Sequence, residues 1–347
     1  MLIVAHHFVV NSGLTSESAN YSEPLSGQSL FLLLFGAWGK TGINCFVLIT
    51  GYFMCRSNIT IRKFVKLLGG GVMFYRIVIY LVFFLTGYEA FSISSFTKAI
   101  IPINQIGTNF TSCFIVFYLC IPFLNILVHH LSEKQHVRLL CLLGFLYILL
   151  GTAHRVTMNY VSWFIVLYFI ASYIRLYPHK CFSNTKLWGW LTLIILIISS
   201  ISVISSTWLG TRINRHMHYA FVADSNTLLA VALGISSFLF FKNVKIPYNR
   251  LINTIAVSTF GVLCIHANSD TMRRWLWGDL LDNTGHYGSP IMPLYAVGCV
   301  IGVFVVCVLI DMARIQCVEK FFSGYGIQSG IIWKGNIRLP KTKCCLN

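Results

Sequence analysis

Long apolar stretches alternate with short polar ones along the whole chain, and this pattern predicts its secondary structure. Each stretch is a nearly continuous run of apolar residues, without the two-residue alternation of a barrel strand. About 20 such residues span a bilayer as a helix. The pattern therefore predicts an all-α bundle of about ten transmembrane helices, at residues 1–10, 29–54, 71–87, 112–128, 138–153, 160–177, 187–208, 226–241, 251–267 and 291–312.

The first stretch is shorter than the others. Only ten residues precede Asn11, about half the number that a full span needs. We expect a half-span, or a first span truncated because the start was assigned too late. The stretch has neither the basic leader nor the small-residue cleavage site of a signal peptide.

Composition supports a membrane protein with a single domain. The 347 residues are 56% hydrophobic and only 10% charged, an excess of apolar surface that a water-soluble domain of this length does not bury. No repeat, linker or low-complexity segment divides the chain. We expect one polytopic domain over residues 1–347, in which residues 313–347 form a cytoplasmic tail.

The net charge of +16 indicates membrane orientation, because the basic residues are scattered and form no dense patch for nucleic acid. With the N-terminus inside, eighteen of the twenty-six Lys and Arg residues fall on one face and six on the other. The positive-inside rule then places both termini in the cytoplasm. The twelve cysteines lack metal or disulfide spacing, so we expect neither a metal site nor a disulfide framework.

Two adjacent histidines, His6 and His7, lie inside the first apolar stretch. Polar side chains at membrane depth are costly, so they usually face a cavity or the bundle interior and have a function there. Imidazole ionises near neutral pH, which suits a general base. The alternative is a pair of hydrogen-bonded histidines near the end of a span.

Further polar residues near membrane depth are candidates for binding. Lys40 and Asn44 lie where glycines interrupt the second stretch, Arg76 lies just inside the third, and His266 closes the ninth. A lysine or arginine at such a place either faces a solvated cavity or reaches to the membrane interface. His266 is either a site residue or a hydrogen-bonded histidine at a helix end.

A basic segment follows the second stretch and contains Arg62 and Lys63. On the cytoplasmic face, such residues suit charge-assisted contacts to the phosphates of a nucleotide cofactor. The competing interpretation is topological, because every cytoplasmic loop of a membrane protein tends to be basic.

Five segments resemble, in order, those of a known family; they are residues 1–10, 39–53, 117–125, 163–175 and 260–266. Together they are similar to the acyltransferase 3 family, which comprises bacterial integral-membrane O-acyltransferases of surface polysaccharides. Its best-known motif is an arginine followed after ten residues by a histidine. His7 matches the histidine, whereas the arginine would precede Met1. Thr50-Gly51-Tyr52 stands where the family has Ser-Gly-Tyr, and Cys113-Phe114 where it commonly has Trp-Phe.

The resemblance implies a multi-pass enzyme of the bacterial inner membrane. It would move an acetyl or other short acyl group from cytoplasmic acyl-CoA, usually acetyl-CoA, to a hydroxyl of a polysaccharide or lipid-linked oligosaccharide, with no bound cofactor. His7 would be the general base, with His6 assisting. Arg62 and Lys63 resemble the family's basic pair, and His266 resembles its later histidine. Lys40, Asn44 and Arg76 are further donor- or substrate-binding candidates.

Two other interpretations remain open at this stage. A transporter or flippase of glycans or lipid-linked sugars should show two related halves with paired broken helices. Only one clear break, at residues 39–44, is evident in the sequence. The absent arginine also leaves open an inactive, truncated member of the family.

Overall fold

The computed structural model describes residues 1–14, 26–103, 106, 109–154, 159–215 and 217–319, and these residues form helices and no strand. The all-α class is therefore confirmed. The helices are α1 (Leu2–Val10), α2 (Gly27–Gly36), α3 (Gly39–Met54), α4 (Ile61–Leu85), α5 (Ile93–Ile100), α6 (Phe110–His130), α7 (Glu133–His154), α8 (Tyr160–Leu176), α9 (Thr185–Ile213), α10 (Leu228–Asn243), α11 (Arg250–His266), α12 (Asp270–Leu280) and α13 (Met292–Val318).

Most of these helices begin at a short polar residue. Its side-chain oxygen accepts a hydrogen bond from a backbone N–H of the first turn, which would otherwise lack a partner. The capping residues are Ser26, Thr60, Asn109, Ser132, Asn159, Asn184, Asn249 and Ser269. The polar residues between the apolar stretches thus fix where each helix starts.

Among the described residues, six helical segments are long and apolar enough to cross a membrane; α2 and α3 together form one of them. A seventh is formed if α11 and α12 count as one span, broken and bent by 93°. The apolar helices α8 and α10 are shorter, and α1 has nine residues. Every predicted stretch corresponds to helix, whereas the count of ten spans and the side of the termini stay predictions.

Two helix boundaries differ from the sequence expectation. The second stretch is interrupted only at residues 37–38, so Lys40 and Asn44 lie within α3 and not in a break. The third helix begins at Ile61, ten residues before the predicted span, because Thr60 caps it. Its three consecutive glycines lie within a π-helical stretch, Lys66–Met73, and do not end the helix.

Two hydrophobic cores hold the bundle together. One contains buried residues of α1, α2, α4, α11, α12 and α13, with Trp277 and Phe8 among its largest members. The other contains buried residues of α3, α6, α8 and α10, centred on Trp163 and Tyr168. Ile194, Ile197 and Ile201 of α9 are exposed, as lipid-facing residues are.

The connections between helices gather at two ends of the bundle. At one end the hydroxyl of Tyr88 donates to Asp279, and a common pocket is lined by Asn11, Ser12, Asp270, Arg273 and Arg274. At the opposite end the hydroxyl of Tyr177 donates to the carbonyl of Leu131 at 2.9 Å. Following the charge rule, we call the first the predicted outer end and the second the predicted cytoplasmic end.

Candidate active site and its pockets

A chain of hydrogen bonds joins the first helix to the eleventh. Nδ1 of His7 lies 3.0 Å from Nε2 of His266, and Nδ1 of His266 lies 2.6 Å from the carbonyl oxygen of Val262. His266 is 1% exposed, whereas His7 is half-buried. The break after α11 places His266 at a helix end, where its ring faces α1. We call Val262, His266 and His7 the histidine relay.

The relay fixes which nitrogen of His7 is basic. A carbonyl oxygen only accepts, so Nδ1 of His266 carries the hydrogen and, in the neutral ring, Nε2 is an acceptor. Nδ1 of His7 must then donate to that acceptor. The lone pair of a neutral His7 is therefore on Nε2, the nitrogen that faces away from His266. This is the arrangement that a general base requires.

His6 is held separately from the relay. Its Nδ1 donates to the carbonyl of Gly36 at 2.6 Å, and its ring centroid lies 5.9 Å from that of His7. The backbone of Gly39 packs directly against this ring, since a Cβ added there would lie 2.3 Å from Cγ of His6. Glycine at residue 39 is thus needed for the close approach of α1 and α3.

Lys40 lies beside this group of histidines and has partners of its own. Its Nζ donates to the hydroxyl of Tyr160 at 2.8 Å and lies 3.8 Å from Oδ1 of Asp224. The side chain is 20% exposed. Because Asp224 is 63% exposed, Lys40 is paired near the edge of the bundle, an arrangement compatible with both the cavity and the interface interpretation of the sequence.

Two polar pockets open at the predicted outer end beside the relay. One, of about 340 Å³, is lined by residues of α12 and by Asn11 and Ser12, one turn beyond His7. The other, of about 110 Å³, contains Arg76. Arg273 lines both pockets. Both pockets therefore lie on the side of the bundle where the relay ends.

A third pocket lies at the predicted cytoplasmic end, with a volume of about 480 Å³. Its polar lining comes from Arg56, Ser57, Asn58, Asn125 and His129. Nη2 of Arg56 donates to the carbonyl of Arg175 at 3.5 Å, and Nε2 of His129 donates to that of Cys55 at 2.8 Å. A basic pocket of this size suits part of a phosphorylated ligand.

Arg62 and Lys63 lie at the same end, exposed on the first turn of α4. Neither is among the residues that line the pocket. Nζ of Lys63 donates to Oγ of Ser57 at 3.1 Å and to the carbonyl of Asn58 at 2.9 Å. Lys63 therefore supports the loop that lines the pocket, and Arg56 is the basic residue within it.

Asn44 is placed in the packing between helices. It is fully buried, and its Nδ2 donates to the carbonyls of Ser225 at 2.7 Å and Ala230 at 3.1 Å. Its Oδ1 accepts from Nε1 of Trp163 at 3.0 Å. These bonds join α3 to α8 and α10, so the geometry gives Asn44 a structural role and does not support the predicted substrate contact.

Several residues around these pockets were not singled out by sequence reasoning, namely Asn11, Tyr80 and His129. They are polar residues at helix ends, a position that is common in membrane proteins and carries no specific signal. Among the described residues, no group of three or more His, Cys, Asp or Glu is placed to hold a metal ion.

The fold and the site define a multi-pass helical membrane protein with a basic histidine between two sets of polar pockets. A family model described as an acyltransferase domain, Acyl_transf_3, matches residues 1–312. The chain belongs to this family and is a membrane acyltransferase. Neither the curated proteins nor the solved structures that were searched contain a match.

Proposed function

We propose that the protein is a bacterial inner-membrane O-acyltransferase that moves an acetyl group from cytoplasmic acetyl-CoA to a hydroxyl of a cell-surface polysaccharide. The histidine relay carries the proposal, because it leaves a lone pair on Nε2 of His7. A hydroxyl that attacks a thioester must lose its proton, and an imidazole is suited to take it. Membership of the family favours acyl transfer over a glycan flippase.

In the proposed reaction, the hydroxyl proton moves to Nε2 of His7 while the hydroxyl oxygen bonds to the thioester carbonyl carbon. The carbon–sulfur bond then breaks, and the CoA thiolate takes the proton from His7. Nδ1 of His7 carries hydrogen both before and after protonation, so its bond to His266 persists throughout. His266 is thus a positioning residue that keeps the ring of His7 in one orientation.

The two ends of the bundle serve the two substrates in this proposal. The CoA phosphates bind at the predicted cytoplasmic end, where Arg56 offers a charge-assisted hydrogen bond and Lys63 and Arg62 lie exposed nearby. The acceptor sugar enters at the predicted outer end. Lys40 and His6 flank His7 and complete its polar surroundings.

An apolar aromatic cluster lies between the two ends. The ring of Phe46 stacks on that of Phe260 with centroids 6.0 Å apart, and it lies 5.3 Å from the ring of Phe114. In this proposal the uncharged arm that carries the thioester passes along these rings, which exclude the phosphates. The charged part of CoA would therefore stay at the cytoplasmic end while the thioester extends toward His7.

The test uses inside-out membrane vesicles from bacteria that express the chain and make the acceptor polysaccharide. The vesicles receive acetyl-CoA labelled in the acetyl group, and label in base-labile esters is counted. The wild type should incorporate label. His7→Ala should lower incorporation by about 100-fold or more, because a general base contributes roughly 10²–10⁴-fold.

His130→Ala is the matched control. This histidine is exposed at the opposite end and its Nδ1 donates within its own helix, to the carbonyl of Ile126. It should leave incorporation unchanged. A His7→Ala protein that inserts normally and keeps full activity would exclude His7 as the general base. A wild-type protein that uses only acyl-CoA with a longer acyl chain would contradict acetyl-CoA as the donor but not acyl transfer itself.

A further inference from the structure

The smaller outer pocket is built from distant parts of the chain. Arg76 and Tyr80 of α4 form one wall, Lys98 of α5 another, and Arg273 of α12 a third. Its volume of about 110 Å³ is many times the roughly 10–15 Å³ that one water molecule needs. The pocket is therefore large enough for a polar group of a ligand.

Among the described residues, two hydrogen-bond donors at this pocket are buried without an acceptor, and a third residue, Arg76, has a single acceptor. Arg76 is only 8% exposed, yet its one hydrogen bond is from Nη1 to the carbonyl of Pro102, at 2.9 Å. The hydroxyl of Tyr80 and Nε of Arg273 are buried without any partner. Buried donors normally find acceptors, so the arrangement points to a ligand that supplies them.

The charges of the pocket point to the kind of ligand. Its walls carry three cations, Arg76, Lys98 and Arg273, and two carboxylates, Glu89 and Asp270. Asp270 is mostly exposed and pairs with Arg273 at 2.8 Å. None of the ion pairs found among the described residues includes Arg76. A buried guanidinium without a counterion favours an anion, to which it donates two parallel hydrogen bonds.

We infer that this pocket binds an anionic group of the acceptor, so that the enzyme acylates a negatively charged sugar. The group is either the carboxylate of an acidic sugar or the phosphate that joins a sugar to its lipid carrier. The inference rests on the proposed function, and it places the anion beside the acylated hydroxyl, because Arg273 also lines the pocket next to His7. Arg76 would hold the anion, with Tyr80 donating to it.

The experiment compares three soluble probes that share one glucose ring. They are methyl glucoside, which is neutral, methyl glucuronide, which carries a carboxylate, and glucose 1-phosphate. Binding to the full chain in lipid nanodiscs is measured by equilibrium dialysis. At least one anionic probe should bind about 10-fold or more tightly than the glucoside, as expected for a charge-assisted bidentate contact. Preference for the glucuronide assigns an acidic sugar, and preference for the phosphate assigns a lipid-linked one.

Arg76→Gln should remove the preference while leaving binding of the glucoside unchanged, and Arg76→Lys should restore part of it. Arg212→Gln is the matched control, since this exposed arginine stacks on Trp208 and does not line the pocket. Equal affinity of the wild type for all three probes would overturn the inference, as would a preference that survives Arg76→Gln. If Arg76→Gln does not fold, the inference is tested by the preference of the wild type among the three probes and by the loss of that preference in Arg273→Gln.

The same measurements separate this inference from the proposed function. Dialysis needs no acetyl-CoA and no catalysis, so selective anion binding would support the pocket even if the vesicles incorporated no label. Label incorporation without any anion preference would leave the acyltransferase proposal standing and would refute the anionic acceptor.

Discussion

Helix α11 contacts two polar clusters, and they differ in whether every polar group has a partner within the cluster. Near its outer end, the histidine relay leaves a lone pair on His7 without a partner in the relay. One and a half turns earlier, Gly261 packs against Asp311, whose Oδ1 accepts from Tyr75 at 2.7 Å and from Nε of Arg314 at 2.9 Å. We call Tyr75, Asp311 and Arg314 the carboxylate cluster.

In the carboxylate cluster the charges are matched within the protein. Arg314 also donates from Nη1 to the carbonyl of Gly70 at 2.5 Å, so the cluster joins α4 to α13. Both of its charged residues are buried, Asp311 at 1% exposure. A satisfied polar cluster stabilises a contact between helices, whereas one that ends in an unshared lone pair is available for chemistry. The same contrast separates Arg314 from Arg76.

The largest effect should come from opening the carboxylate cluster. Asp311→Ala leaves Arg314 buried without its counterion, which should lower the free energy of unfolding by about 3–5 kcal/mol. Thermal unfolding in mild detergent measures the change. Asp279→Ala is the control, because that exposed carboxylate accepts from Tyr88 at the surface and should matter by less than about 1 kcal/mol. Equal unfolding temperatures for the two variants would contradict the contrast.

Removing the acceptor from the relay should affect activity more than stability. His266→Leu leaves Nδ1–H of His7 without an acceptor, so the ring is free to turn, and acyl transfer should fall on the order of 100-fold. His266→Gln should recover part of the rate, because its side-chain oxygen also accepts a hydrogen bond. A rate for His266→Leu that equals the rate for His266→Gln would mean that the relay does not position His7.

A smaller effect should follow from crowding the carboxylate cluster. A Cβ on Gly261 would lie 2.2 Å from the carboxylate of Asp311, so Gly261→Ala forces the two helices apart and should cost about 1–3 kcal/mol of stability. Gly302→Ala on α13 is the control, since nothing lies within 4 Å of its added Cβ. The measurement is again thermal unfolding. If neither variant changes the unfolding temperature, the helices adjust to the added methyl group at Gly261 without a loss of stability.

The smallest effect should come from replacing the whole carboxylate cluster by apolar residues. A triple variant, Tyr75→Phe with Asp311→Leu and Arg314→Met, removes every charge together with its partner. Its stability should stay within about 1 kcal/mol of the wild type, because a buried ion pair is often no better than apolar packing. If this variant loses as much stability as Asp311→Ala, the cluster contributes more than the pairing of its charges.

Much of the architecture could be predicted from the sequence. Apolar runs are local features, so they predicted ten helical stretches before any contact was known, although not the helices α5 and α12, and five segments indicated the family. The helix boundaries were less certain, because three glycines looked like the end of a segment but lie in a π-helical stretch of α4. His7 and His266 were both singled out as candidates, although nothing in the sequence linked them.

The sequence by itself determined that the chain is a bundle of apolar helices from a membrane acyltransferase family, and that a few polar side chains are buried in it. Only the tertiary structure decided which of these have partners. His7 forms a hydrogen bond with a residue 259 positions away in the sequence. Asn44 uses both its amide nitrogen and its amide oxygen in hydrogen bonds to neighbouring helices. Arg76 lines a pocket and forms no ion pair with a carboxylate among the described residues. The physical reason is that the hydropathy of a segment depends only on its own residues. Charge pairing joins side chains of different helices and therefore depends on how the helices rotate and cross.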